Sequence, residues 1–574
     1  MSYNTNVNGD LLATIPMTAK RVLEIGCGDG SFAMAAKARN PDVTYFGVEL
    51  FEKVGLVAQS RLDGVIIGNI EDERVFEALL QLQNNDPFDV LIFGNVLEHL
   101  IDPWGVLEKL RGLMVPQGIC AACIPNIGHW SIVQQQLKGR WDYGDAGLLE
   151  RTHLRFFTHE TMQDMFINSG WHVVETQPRV IWQQQTQAAL KALEPIIPKL
   201  GLDPEKARVN LSAFQWILVA SNGQAVPPIH VAALALKKVA GVNEARIDFP
   251  LAGLRSLPSV RAVWGEGELS IPNNFKPGVL IFHRQFLNRP EIAGFVERMI
   301  AKGWVIVSEM DDDPAHWAGY RDSNYIAFRG VHAVSVSTQR LAKRMEEFNP
   351  NISVFANAIF ELPTIPQKPS KISGRSRIFF GALNRSEDWN EIKDGMLSAL
   401  KDLEGKVEFV VVHDRQIFDT LPESLAKEFH PTLVPTEYLT VLGTCDVALL
   451  PLRDTPFNHL KSDIKLIECC ATGVVPMFSN VVYSETAGAE NFGVLLAPGQ
   501  DWGAALAKLI GDPIRMEQYR DAGLGYVKAQ RMISHSIPAR QSWLEGLLKN
   551  RDDLEAQRQT RLKSLGLTSL VANS

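Results

Sequence analysis

The fold of the first part of this chain is decided by the stretch Arg21-Val22-Leu23-Glu24-Ile25-Gly26-Cys27-Gly28-Asp29-Gly30-Ser31. Its apolar residues predict a buried strand and its three alternating glycines predict a tight loop. The following residues, 32–39, predict a helix that stops at Asn40-Pro41. This order of strand, loop and helix is typical of the first unit of a doubly wound α/β sheet.

The spacing of the glycines indicates which kind of ligand the loop meets. A dinucleotide-binding loop has the pattern Gly-x-Gly-x-x-Gly, in which a pyrophosphate lies on the N-terminus of the helix. Here Gly30 comes one residue earlier than that pattern requires, and Glu24 precedes the loop. A carboxylate at this point suits a ligand that carries an ammonium group. Glycine also lets such a ligand approach the backbone closely.

The segments that follow occur in the order that such a sheet requires. Residues 44–50 predict a strand that ends in an acid, and residues 88–94 predict one that runs into Leu97-Glu98-His99-Leu100. In all, the remaining strands are predicted at residues 44–50, 65–70, 88–94, 118–124, 171–176 and 214–220. The last two of these segments predict an antiparallel pair.

This pattern resembles the class I S-adenosylmethionine (SAM) methyltransferases over roughly the first 220 residues. The resemblance implies an α/β fold with a Rossmann-like, seven-stranded sheet that binds SAM as its cofactor. It also implies that Glu49 holds the two ribose hydroxyls. The SAM contacts implied by the resemblance lie in the glycine loop and at the strand ends: Glu24, Gly26, Cys27, Gly28, Gly30, Glu49, Asn69 and Asn95.

Three histidines lie where substrates bind in this fold, beyond the carboxyl ends of the strands. His99 follows the fourth strand, His129 follows the fifth, and His153 lies in the segment before the closing pair. An imidazole can take a proton from an acceptor near neutral pH, so we predict that one of them is the general base. The segment is similar to methyltransferases encoded with bacterial surface-polysaccharide enzymes. Its aromatic residues suit stacking on sugar rings: Trp130, Trp141 and Tyr143.

Composition excludes several other classes of protein. The net charge of −8, with no basic block, gives no reason to expect nucleic-acid binding. No apolar run is long enough to span a bilayer, and residues 1–10 contain no hydrophobic signal segment. Six sparsely placed cysteines fit a reducing compartment, so we expect a cytoplasmic protein. Cys120 and Cys123 lie inside an apolar segment and predict buried strand residues rather than a zinc or redox site.

The 574 residues predict more than one domain. A linker-like segment at 221–228 and a Pro-, Lys- and Ser-rich segment at 363–377 divide the chain into residues 1–222, 223–366 and 367–574. The last two parts predict a pair of Rossmann-like domains. Their predicted strands are residues 229–236, 278–283, 304–308, 331–337, 353–358, 378–382, 407–412 and 447–450.

Residues 445–452 and 461–476 resemble the GT-B glycosyltransferases, particularly the retaining group that includes glycogen and sucrose synthases. In that group an Asp-led strand precedes a helix with a glutamate, a small-x-Gly turn and a Val-Pro strand. The resemblance implies a donor nucleotide sugar, linked to UDP, GDP or dTDP, with its ribose on Glu468. It also implies that residues 380–385 approach the sugar diphosphate. The donor contacts are then Gly381, Asn384, Arg385, Ser462, Asp463, Lys465 and Glu468.

One position departs from that group. The group has a second glutamate, with seven residues between it and the ribose-binding one, and this second glutamate touches the transferred sugar. This chain has Leu460 in that region. Ser462, Asp463 and Lys465 are the alternative group for that role.

We place the acceptor of the sugar in residues 223–366, at Asp311, Asp312 and His283, which follow predicted strands. Neither reaction requires a metal ion in principle, and we expect none. The resulting prediction is a bifunctional methyltransferase and glycosyltransferase that builds a methylated glycan or glycosylated surface protein and makes peripheral contact with a membrane-linked acceptor. The alternatives are a glycosyltransferase with a non-catalytic SAM-binding or scaffold domain, and a natural-product tailoring enzyme.

Overall fold

The computed structural model describes residues 7–224, 226–237, 241–366, 368–381, 385–487 and 491–570. The chain forms two compact units. The first comprises Met1–Pro228 with Arg255–Ser259, and the second comprises Ile229–Leu254 with Val260–Ser574. Among the described residues, no helix combines the length and the apolar composition needed to cross a membrane.

The first unit is built on a seven-stranded sheet. In chain order its strands are β1 (Arg21–Ile25), β2 (Thr44–Glu49), β3 (Gly64–Ile67), β4 (Phe88–Gly94), β5 (Met114–Pro125), β6 (His172–Arg179) and β7 (Gln215–Ser221). They lie in the order β3-β2-β1-β4-β5-β7-β6. The strands β1 to β5 are parallel, and β7 runs antiparallel to β5 and β6. The predicted sheet with its closing antiparallel strands is confirmed.

β1 is apolar because it lies in the interior of this sheet. Leu23 pairs with Phe46 of β2 on one side and with Leu91 of β4 on the other. Parallel strands covered by helices on both faces are apolar along their whole length. Glu24 is the one acid within β1, and it is buried. It lies two residues before Gly26, the first glycine of the loop.

Helices connect the strands of the first unit, and side chains cap several of their ends. Asp102 accepts a hydrogen bond from the Gly105 N–H at 3.1 Å, and Pro103 occupies the first helical position of the same helix. The helices are α1 (Gly9–Leu12), α2 (Ser31–Arg39), α3 (Glu52–Ala58), α4 (Glu73–Gln83), α5 (Pro103–Arg111), α6 (Trp130–Leu137), α7 (His159–Asn168), α8 (Gln183–Leu193) and α9 (Pro204–Ser212), with 3₁₀ turns at Leu97–His99 and Pro198–Leu200.

The second unit contains two six-stranded sheets in which all strand pairs are parallel. The strands of the first are β8 (Ile229–Ala235), β9 (Val260–Glu266), β10 (Val279–His283), β11 (Val305–Met310), β12 (Ala333–Val336) and β13 (Ile352–Val354), in the order β13-β12-β11-β10-β8-β9. The strands of the second are β14 (Ser376–Gly381), β15 (Val407–Val412), β16 (Ala426–His430), β17 (Val447–Leu450), β18 (Val475–Ser479) and β19 (Val494–Leu496), in the order β16-β15-β14-β17-β18-β19.

Helices connect these strands as in other doubly wound sheets. They are α10 (Phe249–Arg255), which continues a π-helical turn at Glu244–Asp248, α11 (Pro290–Ala301), α12 (Ala318–Asp322), α13 (Ile326–Arg329), α14 (Gln339–Met345), α15 (Ser370–Ser373), α16 (Ser386–Asp402), α17 (Arg415–Thr420), α18 (Pro435–Gly443), α19 (Ile464–Ala471), α20 (Tyr483–Ala487), α21 (Trp502–Ile510), α22 (Pro513–Gln530), α23 (Ile533–Lys549) and α24 (Arg551–Ser564), with 3₁₀ turns at Pro314–His316 and Asn458–Leu460. The predicted fold class, a methyltransferase-type sheet followed by two Rossmann-like sheets, is confirmed.

α24 follows the second of these sheets in the chain but packs on the first. Leu562 is fully buried in the apolar core of the sheet β8–β13, and Leu570 lies in the same core. Arg558 is also buried, and its guanidinium pairs with Glu297 of α11, with Nη1 and Oε1 3.1 Å apart. The core of the first sheet is therefore assembled from two distant parts of the sequence.

Candidate functional site

The glycine loop after β1 has a backbone that other residues rarely adopt. Gly26, Gly28 and Gly30 have φ of 73°, 58° and 82°, all in the left-handed region. A Cβ atom on Gly26 would also lie 2.5 Å from Cγ2 of Val96. The loop is fixed to the neighbouring strand, because the N–H of Gly26 donates to the Val48 carbonyl at 2.8 Å.

Glu49 is held at the carboxyl end of β2 by backbone N–H groups. One carboxylate oxygen accepts a hydrogen bond from Gly28 at 2.8 Å, and the other accepts one from Phe51 at 2.9 Å. The side chain is buried yet forms part of a cavity wall. Its orientation is therefore set before any ligand arrives, and it joins the glycine loop to the end of the next strand.

A cavity of about 460 Å³ opens at the carboxyl ends of β1 to β4. This volume is in the range that holds a cofactor-sized ligand. The predicted SAM contacts that form its wall are Gly26, Glu49, Asn69 and Asn95. The wall also contains Glu71, which follows the third predicted strand beside Asn69, and two residues that the sequence had not indicated, Glu150 and Thr152.

Two asparagines in this wall are held by hydrogen bonds. The side-chain oxygen of Asn69 accepts from the N–H of Glu71 at 3.0 Å. Asn95 has a φ of 62°, and its side-chain oxygen accepts from Nε2 of Gln215 at 2.9 Å. Asparagine tolerates this left-handed backbone better than most residues.

The other predicted SAM contacts lie outside the cavity wall: Glu24, Cys27, Gly28 and Gly30. Glu24 accepts a hydrogen bond from the Tyr45 hydroxyl at 3.0 Å. Burial, together with the nearby acids Glu49 and Asp29, raises the pKa of Glu24 to about 8, so its carboxyl is largely protonated at neutral pH. Of the two buried glutamates, Glu49 therefore forms part of the cavity wall and Glu24 does not.

The structure brings two of the three predicted histidines together. His99 forms part of the cavity wall, and the centres of the His99 and His153 rings lie 4.8 Å apart. His129 is fully buried elsewhere, where it caps α6 by accepting from the Ser131 N–H. Burial lowers the pKa of His129 to about 4. Ring contacts continue from His153 through Phe156 to the exposed Trp141.

In the second unit, three of the predicted donor contacts lie near one another. Nζ of Lys465 pairs with Oε2 of Glu468 at 3.0 Å and lies 4.1 Å from the centre of the Tyr438 ring. The Tyr438 hydroxyl donates to the Gly381 carbonyl at 2.9 Å. Burial alone would lower the pKa of the Lys465 ammonium, but Glu468 and Tyr438 hold that pKa above its ordinary value. Lys465 is therefore a fixed cation.

The remaining predicted donor contacts have other partners. Ser462 accepts a hydrogen bond from the Asn357 side chain at 2.8 Å, and Asp463 forms a two-pronged ion pair with Arg531, at 2.5 and 2.7 Å. Nη1 of Arg385 donates to Asp388 at 3.0 Å. Asn384 lies outside the described residues. The Ser462 and Asp463 side chains thus tie the start of α19 to other parts of the second unit.

The predicted acceptor residues form one charged cluster. Oδ1 of Asp311 lies 2.6 Å from Nε of Arg284 and 3.7 Å from Nε2 of His283. Burial alone would raise the pKa of Asp311, but Arg284 and His283 hold it well below its ordinary value. Asp312 lies 3.8 Å from Nζ of Lys461, which precedes α19. The cluster therefore joins the ends of strands from both sheets of the second unit.

A family model described as a methyltransferase domain matches residues 6–176. An uncharacterized methyltransferase of Mycobacterium tuberculosis is 28% identical over 155 residues, which are 25% of this chain and 76% of that protein. A ubiquinone biosynthesis O-methyltransferase of Psychrobacter arcticus is 24% identical over 175 residues, which are 28% of this chain and 62% of that protein.

Among solved structures, the chain is similar to the Anabaena protein HepE in complex with UDP. The two share 12% sequence identity with a TM-score of 0.41 over 56% of this chain and 100% of that one. The family match concerns the first part of the chain: residues 6–176 match a methyltransferase domain. The second unit of the chain is the Rossmann-like pair described above, and the chain's structural neighbours include glycosyltransferases.

Proposed function

We propose that this protein is a bifunctional enzyme that transfers a methyl group from SAM in its first unit and a sugar from a nucleotide sugar in its second. The observation that carries the proposal is the cavity at the ends of β1 to β4, where the glycine loop meets the fixed carboxylate of Glu49. Two transferases on one chain suit one product, which we propose to be a bacterial surface glycan or glycosylated surface protein.

The residues of the cavity fit SAM. Two adjacent ribose hydroxyls can donate to the two oxygens of Glu49, and the Asn69 and Glu71 side chains can receive the adenine. When bound, SAM supplies the electrophilic methyl group of its sulfonium. The enzyme positions the acceptor in line with that group and eases loss of the acceptor proton.

We propose that the accepting atom is a sugar hydroxyl oxygen, near His99 and His153. The relatives named as O-methyltransferases support oxygen as the accepting atom. The aromatic side chains that lead outward from His153 support a sugar ring, because Trp141 and Tyr143 are exposed and aromatic faces stack on sugars. The cluster of His99 and His153 is then the place where the acceptor hydroxyl loses its proton.

We expect His153→Ala to slow single-turnover methyl transfer by about a hundredfold or more while SAM binding is kept. The measurement uses radiolabelled SAM and a surface-glycan fraction as acceptor. The control is His129→Ala. The His129 side chain is 0% exposed and does not line the cavity. That change should lower stability but leave the rate per folded molecule close to that of the parent. Full rate in His153→Ala would exclude this histidine from the reaction.

For glycosyl transfer, we propose that Glu468 binds the ribose of the donor and that Lys465 and Arg385 neutralise its diphosphate. The ion pair of Lys465 with Glu468 keeps both side chains at the N-terminal part of α19, beyond the end of β17. Ligands of open α/β sheets bind beyond the carboxyl ends of strands. The acceptor would then bind at Asp311, Asp312 and His283. We propose three domains: residues 1–222 for methyl transfer, residues 223–366 for the acceptor of the sugar and residues 367–574 for the nucleotide-sugar donor.

We expect Glu468→Ala to weaken binding of the donor nucleotide by about tenfold to a hundredfold, because a charged hydrogen bond to a hydroxyl contributes roughly 1.5–3 kcal/mol. Calorimetric titration of the full chain with UDP, GDP and dTDP identifies the nucleotide and measures the loss. Glu437→Ala, on the neighbouring α18, is the control. An equal affinity in Glu468→Ala and the parent would contradict the assignment.

One experiment tests both halves of the proposal at once. Ligands that bind only the native state raise the melting temperature. Melting of the full chain with SAM, with each nucleotide sugar and with both together should show two independent stabilising effects. If a nucleotide sugar raises the melting temperature and SAM does not, the proposal that the first unit binds SAM is wrong.

A further inference from the structure

Glu98 is a buried acid that the proposed reactions do not use. It lies in the 3₁₀ turn after β4 and is 1% exposed. Among the described residues, no other residue gives either of its carboxylate oxygens a hydrogen bond. A buried carboxyl group without partners is costly, which indicates that a positive ligand belongs beside it.

Two histidines face this carboxyl group. One oxygen of Glu98 and one ring nitrogen each of His99 and His153 all lie within 4.8 Å of one another. The backbone holds them there, because the N–H groups of Leu154 and Arg155 both donate to the Glu98 carbonyl, at 2.8 and 3.0 Å. The segment that contains His153 is thereby tied directly to the turn that contains the other two residues.

Hydrogen bonds also determine which nitrogen of each ring carries a hydrogen. Nδ1 of His99 lies 3.1 Å from the Thr152 carbonyl, and Nδ1 of His153 lies 3.2 Å from the Leu148 carbonyl. A carbonyl oxygen only accepts, so each Nδ1 must carry a hydrogen. In a neutral imidazole the other nitrogen, Nε2, then has a free lone pair. Metal-binding histidines have this arrangement, with the second ring nitrogen bonded to a carbonyl or carboxylate.

We propose that Glu98, His99 and His153 bind a divalent transition-metal cation beside the methyl-donor cavity. Two imidazoles and one carboxylate are a ligand set that suits Zn²⁺, Mn²⁺ or Fe²⁺ and leaves coordination positions open. Ligand atoms roughly 2.1 Å from one ion are at most about 4.2 Å apart. The three atoms now lie within 4.8 Å of one another, so the side chains must draw closer together when they bind an ion.

The open positions give this cation a role in methyl transfer, and this step rests on the proposed function. His99 belongs to the wall of the cavity that we assign to SAM, so the cation lies at the edge where the acceptor must enter. A bound cation lowers the pKa of a hydroxyl that coordinates it. The acceptor oxygen then loses its proton to water more easily, and the two imidazoles act as ligands rather than as the base.

Metal binding can be measured without any acceptor. The full chain is treated with a chelator, desalted and titrated with Co²⁺ and with Zn²⁺. We expect one equivalent to bind, with visible Co²⁺ absorption bands typical of nitrogen and oxygen ligands. Glu98→Gln, His99→Ala and His153→Ala should each weaken binding at least about tenfold to a hundredfold, since even residues that only orient metal ligands have effects of that size.

The control is His172→Ala, which removes an exposed histidine of β6 and should leave the affinity unchanged. Melting curves without metal verify that each variant is folded, and the spectrum of the parent protein tests the site without any substitution. A parent that binds no cobalt, or that binds it equally well after all three ligand substitutions, overturns the site. Acetohydroxamate, an oxygen chelator, should change the cobalt spectrum, and an unchanged spectrum would overturn the role in acceptor binding. SAM affinity, measured separately, shows whether the proposed cofactor assignment fails on its own.

Discussion

Replacing Glu49 by alanine should weaken SAM binding by about 2–4 kcal/mol, which is one to three decades in affinity. The carboxylate offers two oxygens to the two ribose hydroxyls, so both contacts are lost together. The change also removes the acceptor for the N–H of Gly28, at 2.8 Å, and so loosens the glycine loop. Isothermal titration of the full chain with SAM measures the loss.

The matched control is Glu52→Ala, which removes an exposed acid three residues further along, at the start of α3. Glu52→Ala changes the net charge by the same amount as Glu49→Ala, but Glu52 does not line the cavity. Its SAM affinity should equal that of the parent. If Glu49→Ala and Glu52→Ala bind SAM equally well, the cavity is not the cofactor site that we propose.

Replacing Arg531 by alanine should destabilise the second unit by about 3–5 kcal/mol, because it leaves the buried carboxylate of Asp463 without its partner. Arg531 also donates to the Asn357 carbonyl at 2.8 Å, so three segments lose a common contact. Urea unfolding of the full chain, followed by tryptophan fluorescence, should show an earlier transition for the second unit, with the transition of the first unit unchanged.

Two further variants separate this ion pair from a general effect of removing arginine. Arg140→Ala breaks the exposed pair with Asp142 and should leave both transitions in place. The double substitution of Arg531 and Asp463 by leucine removes both charges and should recover much of the lost stability. A double variant as unstable as Arg531→Ala would show that the buried charge is not the cause.

The sequence was sufficient for elements whose residues are mainly apolar. β17 is apolar throughout, and β1 and β10 are apolar apart from Arg21, Glu24 and His283. All three strands lie between neighbours in their sheets, and they were predicted. β16, with the sequence Ala-Lys-Glu-Phe-His, is a half-buried edge strand and lacks that pattern. β19 has only three residues, and β9 contains polar residues and is also an edge strand. Edge strands are covered on fewer sides, so their composition is less informative.

The candidate site residues also differ in how far the sequence could predict them. The glycine loop and Glu49 could be predicted because their positions depend on local geometry and on the end of a strand. The sequence could not show that His153 lies against His99 whereas His129 lies away from the cavity wall, because these positions depend on distant segments. Glu98 lies in a short Leu-Glu-His-Leu turn that gives no sign of its surroundings. Likewise, 68 residues separate Asp463 from Arg531.

The packing of α24 has a consequence for the order in which the protein can fold during synthesis. The core of the sheet β8–β13 includes Leu562 and Leu570, and Arg558 pairs there with Glu297. Some two hundred residues lie between β13 and α24, and ribosomes add roughly 5–20 residues per second. The nascent sheet therefore waits on the order of ten to forty seconds with part of its apolar face uncovered. During that interval it is a substrate for chaperones, whereas the strands of the first unit have all been synthesised before it.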